Sequence, residues 1–532
     1  MTIFAAILAS LAGSAAVAAT PAASAWAASD DNCLLQTKTD FSTVSHALHG
    51  GKFDALKKLK QELAERGSFG APILSNTSPE AMKLLHVNPE WVINIIVIVA
   101  LGGVACFTAC GLRIGSRKSA SPGWVVAMLL ASYLVLIPGL FSKDFSFNIA
   151  VNVDFSALGL PQSTRNLIHL FAPDIPERIQ ITQPRGVYGP IHESTRSFVG
   201  FLWQSDCRVG AVLVAIFAFG VPLMKLSLLG LGELWRSSKI YACAMVARWS
   251  ILFVQMISKW AAPDMFAMIL LYYLLRGLNH PPLLESLQVL DLGFTFYSVF
   301  CIFSVISTLA IRLPELPVAK ADAAEESHPL LVRLVGRQGV VYVVACLFVA
   351  WAVFFIYGIQ CPCLSLRLDQ KTILRQFHVP SNIMQMVEPI INKLHLERLI
   401  QDDVSMWQCM WKLWAWFNHD RSLNLLLGFL MMSIFMVLFT VLDMIVLVVA
   451  AYRLHCGAGG KQRCPAMATS FVLKHLSFMD VLVVGVIVIA YAAAIYAEQG
   501  IMISLSHGIW VLAISEGIHY ATYFAVMGMS LH

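Results

Sequence analysis

Charge is what this chain has least of. Only 13% of its 532 residues are charged while 58% are hydrophobic, a balance that cannot clothe a water-soluble globule and that calls for a lipid solvent. The formal net charge is +5, and no basic cluster reaches the density of a nucleic-acid surface, so no nucleic-acid partner is expected. The signatures of catalysis are also missing: there is no serine nucleophile elbow, no phosphate-cradling glycine loop and no zinc-protease helix, so neither an enzyme site nor a cofactor is expected. Cys106 and Cys110 stand four apart and His455, Cys456 and Cys464 form a loose cluster. Neither supplies four well-spaced ligands, so no metal site is expected.

What the chain has in abundance is long apolar runs. A bilayer-crossing helix needs about 20 successive apolar residues, because every backbone polar group must be satisfied inside the membrane. Nine stretches meet or approach that length: 91–110, 123–141, 209–230, 261–275, 292–311, 339–359, 425–450, 471–496 and 509–529. The fourth is short and follows the apolar stretch 240–257, which predicts a tilted helix or an interfacial segment leading into it. Residues 1–27 are alanine-rich and end in small residues. They predict a cleaved secretory signal, with an uncleaved anchor or organelle leader as the alternative, since the usual basic start is missing. Residues 28–90 would then be extracytoplasmic. There Asn76 opens an Asn-Thr-Ser glycosylation sequon or lies in an ordinary polar loop, and Phe53, Leu56, Leu59 and Leu63 share one face of a soluble helix. Arg113, Arg117, Lys118, Arg236, Lys239, Arg248, Arg312, Lys320, Arg333, Arg337, Arg453, Lys461 and Arg463 fall in alternate connections, whereas the short opposite ones hold little beyond Arg276. The positive-inside rule then puts the amino terminus on the extracytoplasmic or lumenal side and the carboxyl terminus in the cytoplasm.

The sequence also repeats itself. Residues 216–225 lie over 434–443 without a gap, Lys259 to Asp264 match the region of Lys474 to Asp480, and Leu292-Gly293-Phe294 lies over His507-Gly508-Ile509. The expected fold is therefore an all-α polytopic membrane protein. After an extra helix at 91–111 comes a four-helix module at 123–312 with an outer loop at 142–208, a cytoplasmic linker at 313–338, and a second module at 339–530 with an outer loop at 361–424. Equal helix counts make the two copies parallel. Each outer loop opens on an alternating stretch, 145–154 and 364–369, which predicts small extracytoplasmic domains containing short strands and amphipathic helices. Trp407, Trp411, Trp414 and Trp416 predict one such helix on the headgroups or against the companion loop.

Val221-Pro222-Leu223, then Lys259-Trp260, then Pro263-Asp264-Met265-Phe266, with a last helix opening on Gly293-Phe294, together resemble the paraquat-inducible protein A family. The second copy carries His475 to Leu482 and Gly508 in the corresponding places. The resemblance covers about residues 123–530. It implies tandem modules, membrane lipids as cargo and a mammalian-cell-entry-type extracytoplasmic partner. The sequence departs from the family in lacking paired CxxC motifs and in carrying the first helix and the long segment before it.

An ionisable group within a membrane helix costs about 2.5–3.5 kcal/mol on insertion scales and so demands a partner, water or a function. The repeat yields Lys225, Asp264, Asp443 and Asp480. Either Lys225 pairs with Asp264 and Asp443 faces Asp480 across a shared proton, or all four lie at the cytoplasmic interface with Lys225 snorkelling and Asp264 stabilising a helix amino terminus. Glu516 and His519 share one face of the last helix, as a proton relay or as a plain interhelical hydrogen-bond site. Among the extracytoplasmic cysteines, Cys361 or Cys363 is expected to bridge Cys409. The function the resemblance implies is handling of membrane lipid, to which these polar groups would couple the movement of a proton. A proton- or ion-coupled transporter of a small solute and a tetraspanin-like scaffold are the alternatives.

Overall fold

The computed structural model describes residues 89–113, 121–154, 178–181, 191–238, 240–277, 284–314, 330–368, 402–456, 465–493 and 501–530, all within one compact unit, Pro72–His532. The expected signal segment, Asn76, and the amphipathic stretch around Phe53 lie outside the described residues. Nine described helices are long and apolar enough to cross a membrane, which makes the chain an integral membrane protein.

The first of these, α1 (Glu90–Arg113), packs on α2 (Gly123–Phe141) through Ala100 and Val104 against Met128 and Ala131. A short sheet follows, built on β1 (Phe145–Asp154), to which β2 (Arg178–Ile181), β3 (Ile191–Glu193) and β4 (Leu284–Leu290) all pair antiparallel. The alternating apolar pattern that predicts this strand gives its ends as observed. Ser194 then opens α3 (Thr195–Gln204) with a capping box to Ser197, which satisfies backbone donors that a helix start leaves unpaired.

The next membrane helix, α4 (Arg208–Trp235), contains a π-helical turn at Ile216–Gly220. The span expected to be short is in fact a 37-residue element, Tyr241–Gly277. It is α5 (Tyr241–Ile257), a 3-10 turn at Ser258–Ala261, and α6 (Pro263–Gly277). Pro263 has no N–H to continue the ladder, so it ends one helix and opens the next. After β4 comes α7 (Leu292–Leu309), whose cap, Asp291, accepts the Leu292 N–H.

The same order of elements then recurs. Helix α8 (Leu330–Gln360), kinked at Gly336 where φ is +71°, leads into β5 (Pro362–Leu368). This strand is central to a sheet with β6 (Asp402–Ser405) and β7 (Ile501–Leu505), both antiparallel. A capping box from Ser405 to Gln408 opens α9 (Met406–Asp420). Helix α10 (Leu423–Cys456) carries a π-helical segment at Met431–Leu438. The next span breaks between α11 (Pro465–Leu476) and α12 (Met479–Ala492), and α13 (His507–Ser530) ends the described chain.

Two close approaches occur at matching places. A Cβ built on Gly293 would lie 2.8 Å from the Ser142 and Lys143 carbonyls, and one on Gly508 would lie 2.5 Å from the Pro362 carbonyl and 2.7 Å from that of Cys361. In each case the turn leaving the first helix presses its carbonyls onto the start of the last, a contact that only glycine admits.

The core sits where α6 meets α12. Every residue of α6 from Pro263 to Arg276 is buried, the signature of a helix apolar all round. A Cβ on Gly485 would meet the Pro263 carbonyl at 2.8 Å, and further along Ala267, Met268 and Leu271 share a cavity with Val488, Ile489 and Ala492. The two helices therefore run side by side in the same direction, and the strands that follow them, β4 and β7, emerge at the same end.

Candidate functional site

The two helix breaks position the most concentrated set of buried charges. At the first, the 3-10 turn carries Lys259. At the second, α11 ends on Lys474 in its last turn and α12 begins with Asp480 in its first, where an acid complements the helix dipole. Broken helices leave backbone groups unpaired, and in a membrane these need partners from the protein itself. The Lys259 ammonium supplies some of them, donating to the carbonyls of Lys474 at 3.3 Å and Ser477 at 3.1 Å. The Phe478 N–H donates to the Phe435 carbonyl at 2.9 Å, inside the π-helical segment of α10.

Two ion clusters meet here. In one, Lys259 Nζ lies 2.8 Å from Asp480 Oδ2, which also accepts from the Tyr520 hydroxyl at 2.7 Å. In the other, Lys474 Nζ donates to Glu516 Oε1 at 2.8 Å, and the His519 ring lies between Asp443 and Glu516. Ser470 donates to the second oxygen of Asp443 at 2.6 Å. The Tyr520 ring joins the clusters, with Lys474 Nζ 3.5 Å and Lys259 Nζ 5.9 Å from its centroid. None of Lys259, Lys474, Asp443, Asp480, Glu516 and His519 is more than 5% exposed.

His519 stands at a fork. Its Nε2 is 2.9 Å from Asp443 Oδ2, while Nδ1 is 2.9 Å from Lys474 Nζ and 3.1 Å from Glu516 Oε2. An ammonium only donates and a carboxylate only accepts. Neutral His519 can thus donate from Nε2 to Asp443 while Nδ1 accepts from Lys474. Protonated His519 donates from both nitrogens, to Asp443 and to Glu516. Three carboxylates face two ammonium groups in this network, so it reaches neutrality only when one further proton is bound.

The remaining sequence candidates fall differently. Lys225 and Asp264 do not pair. Lys225 is fully buried rather than snorkelling, and donates to Ser258 Oγ at 2.6 Å and to the Ser304 carbonyl at 2.7 Å. Asp264 Oδ2 is buried without a hydrogen-bond partner among the described residues, and the residue lines a small apolar cavity with Ala267, Met268, Leu271, Val488 and Ile489. Nor does Asp443 face Asp480: each acid has its own cation. Glu516 and His519 do meet, 3.1 Å apart. Of the motif residues, Pro222 accepts from the Tyr133 hydroxyl at 3.0 Å and Trp260 stacks on Phe217. Sequence reasoning missed Lys259, Lys474 and Tyr520 as site residues, although the lysine ahead of each acid stands in the repeated motif.

At the sheet end, Cys361, Cys363 and Cys409 are free, against the expected bridge. Cys409 packs its sulfur 3.6 Å from that of Met432, and burial pushes the Cys363 thiol up to about 12. Trp407 and Trp411 are exposed on α9 as expected, but Trp416 turns inward, its ring 4.4 Å from the Arg276 guanidinium. Arg276 in turn donates to Asp420 Oδ2 at 2.6 Å. Burial also pushes Asp144 well above the usual carboxylate range, although Thr195 donates to it at 2.6 Å. Comparison of the chain with family models, with curated proteins and with solved structures returns no match.

Proposed function

We propose that this chain is a tandem-module membrane protein of the paraquat-inducible protein A type that handles membrane lipid, and that its buried network binds and releases one proton as it does so. The observation that carries the reading is the charge balance: three carboxylates, two ammonium groups and one forked imidazole, sealed from water. A network one proton short of neutrality in a low-dielectric setting is a proton-binding device, because the unprotonated state leaves a net buried charge. Its members come from helices on both sides of the chain, so a change of protonation bears on how the two sides pack. The recurrence of strand pairing, capping box, π-helical turn and glycine contact supports reading those sides as duplicated modules. The distribution of lysine and arginine supports placing the sheets outside the cytoplasm, where they would dock a partner of the mammalian-cell-entry type.

The test is transfer of a fluorescent phospholipid between vesicles carrying the reconstituted protein, followed against pH. Glu516→Gln leaves two carboxylates facing two ammonium groups, so the variant is neutral without the extra proton and should lose the pH dependence of transfer. The wild-type profile in that variant refutes the coupling.

A second reading, a proton-coupled transporter of a small solute, is favoured by one observation: two membrane spans are interrupted, at Ser258–Ala261 and between Leu476 and Met479. Broken helices are how many transporters form substrate sites at mid-membrane. Purified protein that retains no lipid, while proteoliposomes take up a solute under an imposed proton gradient, would favour it over lipid handling.

A further inference from the structure

A second polar site lies at the opposite end of α6 from Asp264. There the last turns of α6, strand β4, the start of α1 and the corner between α9 and α10 border a small cleft lined by Glu90, Tyr272, Arg276, Gln288, Asp420 and Ser422. Gln288 is 3% exposed, and neither its Oε1 nor its Nε2 has a hydrogen-bond partner among the described residues. A buried primary amide left unmatched on both atoms is rare, because such groups are almost always paired with protein or bound matter. Arg276 is fixed from several sides, by Asp420, by the Tyr272 hydroxyl and by the face of Trp416. Asp420 also bonds His419 at 2.8 Å. Glu90, half-buried at the rim, makes no ion pair or hydrogen bond among the described residues. The rest of the wall is apolar: Val289, Leu290 and Leu425.

We propose that this cleft holds the head group of an aminophospholipid, its primary ammonium on Glu90 and its phosphate facing the Gln288 amide and Arg276. The proposal rests on the lipid-handling reading and names the lipid class. Three features carry it. An unpaired acid calls for a cation that donates hydrogen bonds. An unmatched amide calls for a donor and an acceptor together, which an ammonium and a phosphate supply. The depth is that of lipid head groups, since Glu90 is the first residue of one membrane-length helix and the span containing Arg276 ends at Gly277.

Native mass spectrometry of the full chain in detergent, with equal amounts of phosphatidylethanolamine and phosphatidylglycerol, tests this. Wild type should retain phosphatidylethanolamine preferentially, and Gln288→Leu and Glu90→Gln should each lower that retention about tenfold or more, as loss of a hydrogen bond to a charged group does. Glu90→Gln alters a half-buried helix start and keeps the test valid should Gln288→Leu fold poorly. Free ethanolamine at the lipid's concentration should not displace it. Lipid retained without head-group preference, or unchanged retention in Glu90→Gln, overturns this site alone. Displacement by free ethanolamine makes it a soluble-amine site instead. Retention of no lipid at all overturns the lipid-handling reading along with it.

Discussion

The Lys259–Asp480 pair permits the sharpest test of what holds the two sides together. Both side chains are about 4% exposed, and the lysine also donates to two carbonyls at the broken end of α11. Lys259→Met removes the cation and leaves Asp480 buried with, among the described residues, only the Tyr520 hydroxyl and the Val481 N–H donating to it, together with two uncapped carbonyls. Breaking a buried pair from one side costs about 3–5 kcal/mol, because the surviving charge is uncompensated. Asp480→Asn leaves Lys259 its carbonyl acceptors and should cost less, about 2 kcal/mol, the worth of a hydrogen bond to a charged group. The double variant buries neither charge, so it should be about 2–3 kcal/mol more stable than the summed single effects. The assay is equilibrium unfolding in mixed micelles with a denaturing detergent, read by tryptophan fluorescence on all four proteins. A coupling below about 0.5 kcal/mol, the scatter of independent sites, would refute the pair as a stabilising contact.

Two other perturbations follow from the geometry. Gly508→Ala places a Cβ 2.5 Å from the Pro362 carbonyl, whereas Gly517→Ala in the same helix meets nothing within 4 Å. The first should lose about 1–3 kcal/mol, as overpacking does, and the second should stay within about 0.5 kcal/mol of wild type; equal melting shifts would refute the close approach. Asp144 has its folded pKa raised above the ordinary value of 3.8 by burial. The fold therefore binds this proton more tightly than the unfolded chain, so its stabilising effect is complete below 3.8 and is lost as pH rises through the folded value. Asp144→Asn should flatten that part of the melting profile, and an unchanged slope would show that the group does not titrate there.

What the sequence discloses here divides by range. Helices of membrane length and the strand at Phe145–Asp154 are legible because their signals, an apolar run and a period of two, are local to the segment. So is the contact of Glu516 with His519, one turn apart on one helix. The break before α6 has a written cause in Pro263. The break between Leu476 and Met479 has none in its own residues: it is held by the Phe435 carbonyl, by Lys259, and by the Thr440 hydroxyl 2.6 Å from that of Ser477, all from other helices. The expectation that Lys225 and Asp264 pair fails for the same reason. Matching positions on successive helices give similar depth but not facing direction, and the side chains that reach Lys259 and Asp264 come from the far end of the chain or not at all.

The two sides differ in a way that charge chemistry explains. With residues 216–225 set over 434–443 and Gly293 over Gly508, Lys225 corresponds to Asp443, Cys301 to Glu516 and Ser304 to His519. Lys225, a donor, meets acceptors: the Ser304 carbonyl and the Ser258 hydroxyl. Asp443, an acceptor, meets donors: His519 Nε2 and the Ser470 hydroxyl. Reversing the charge at one position thus reverses the demand on its surroundings, and the surroundings differ accordingly. A titratable imidazole can serve Asp443 because it donates in either protonation state, whereas beside Lys225 a protonated imidazole would repel. The forked imidazole therefore belongs with the side that carries Asp443, whereas on the other side Asp264 stands against an apolar cavity.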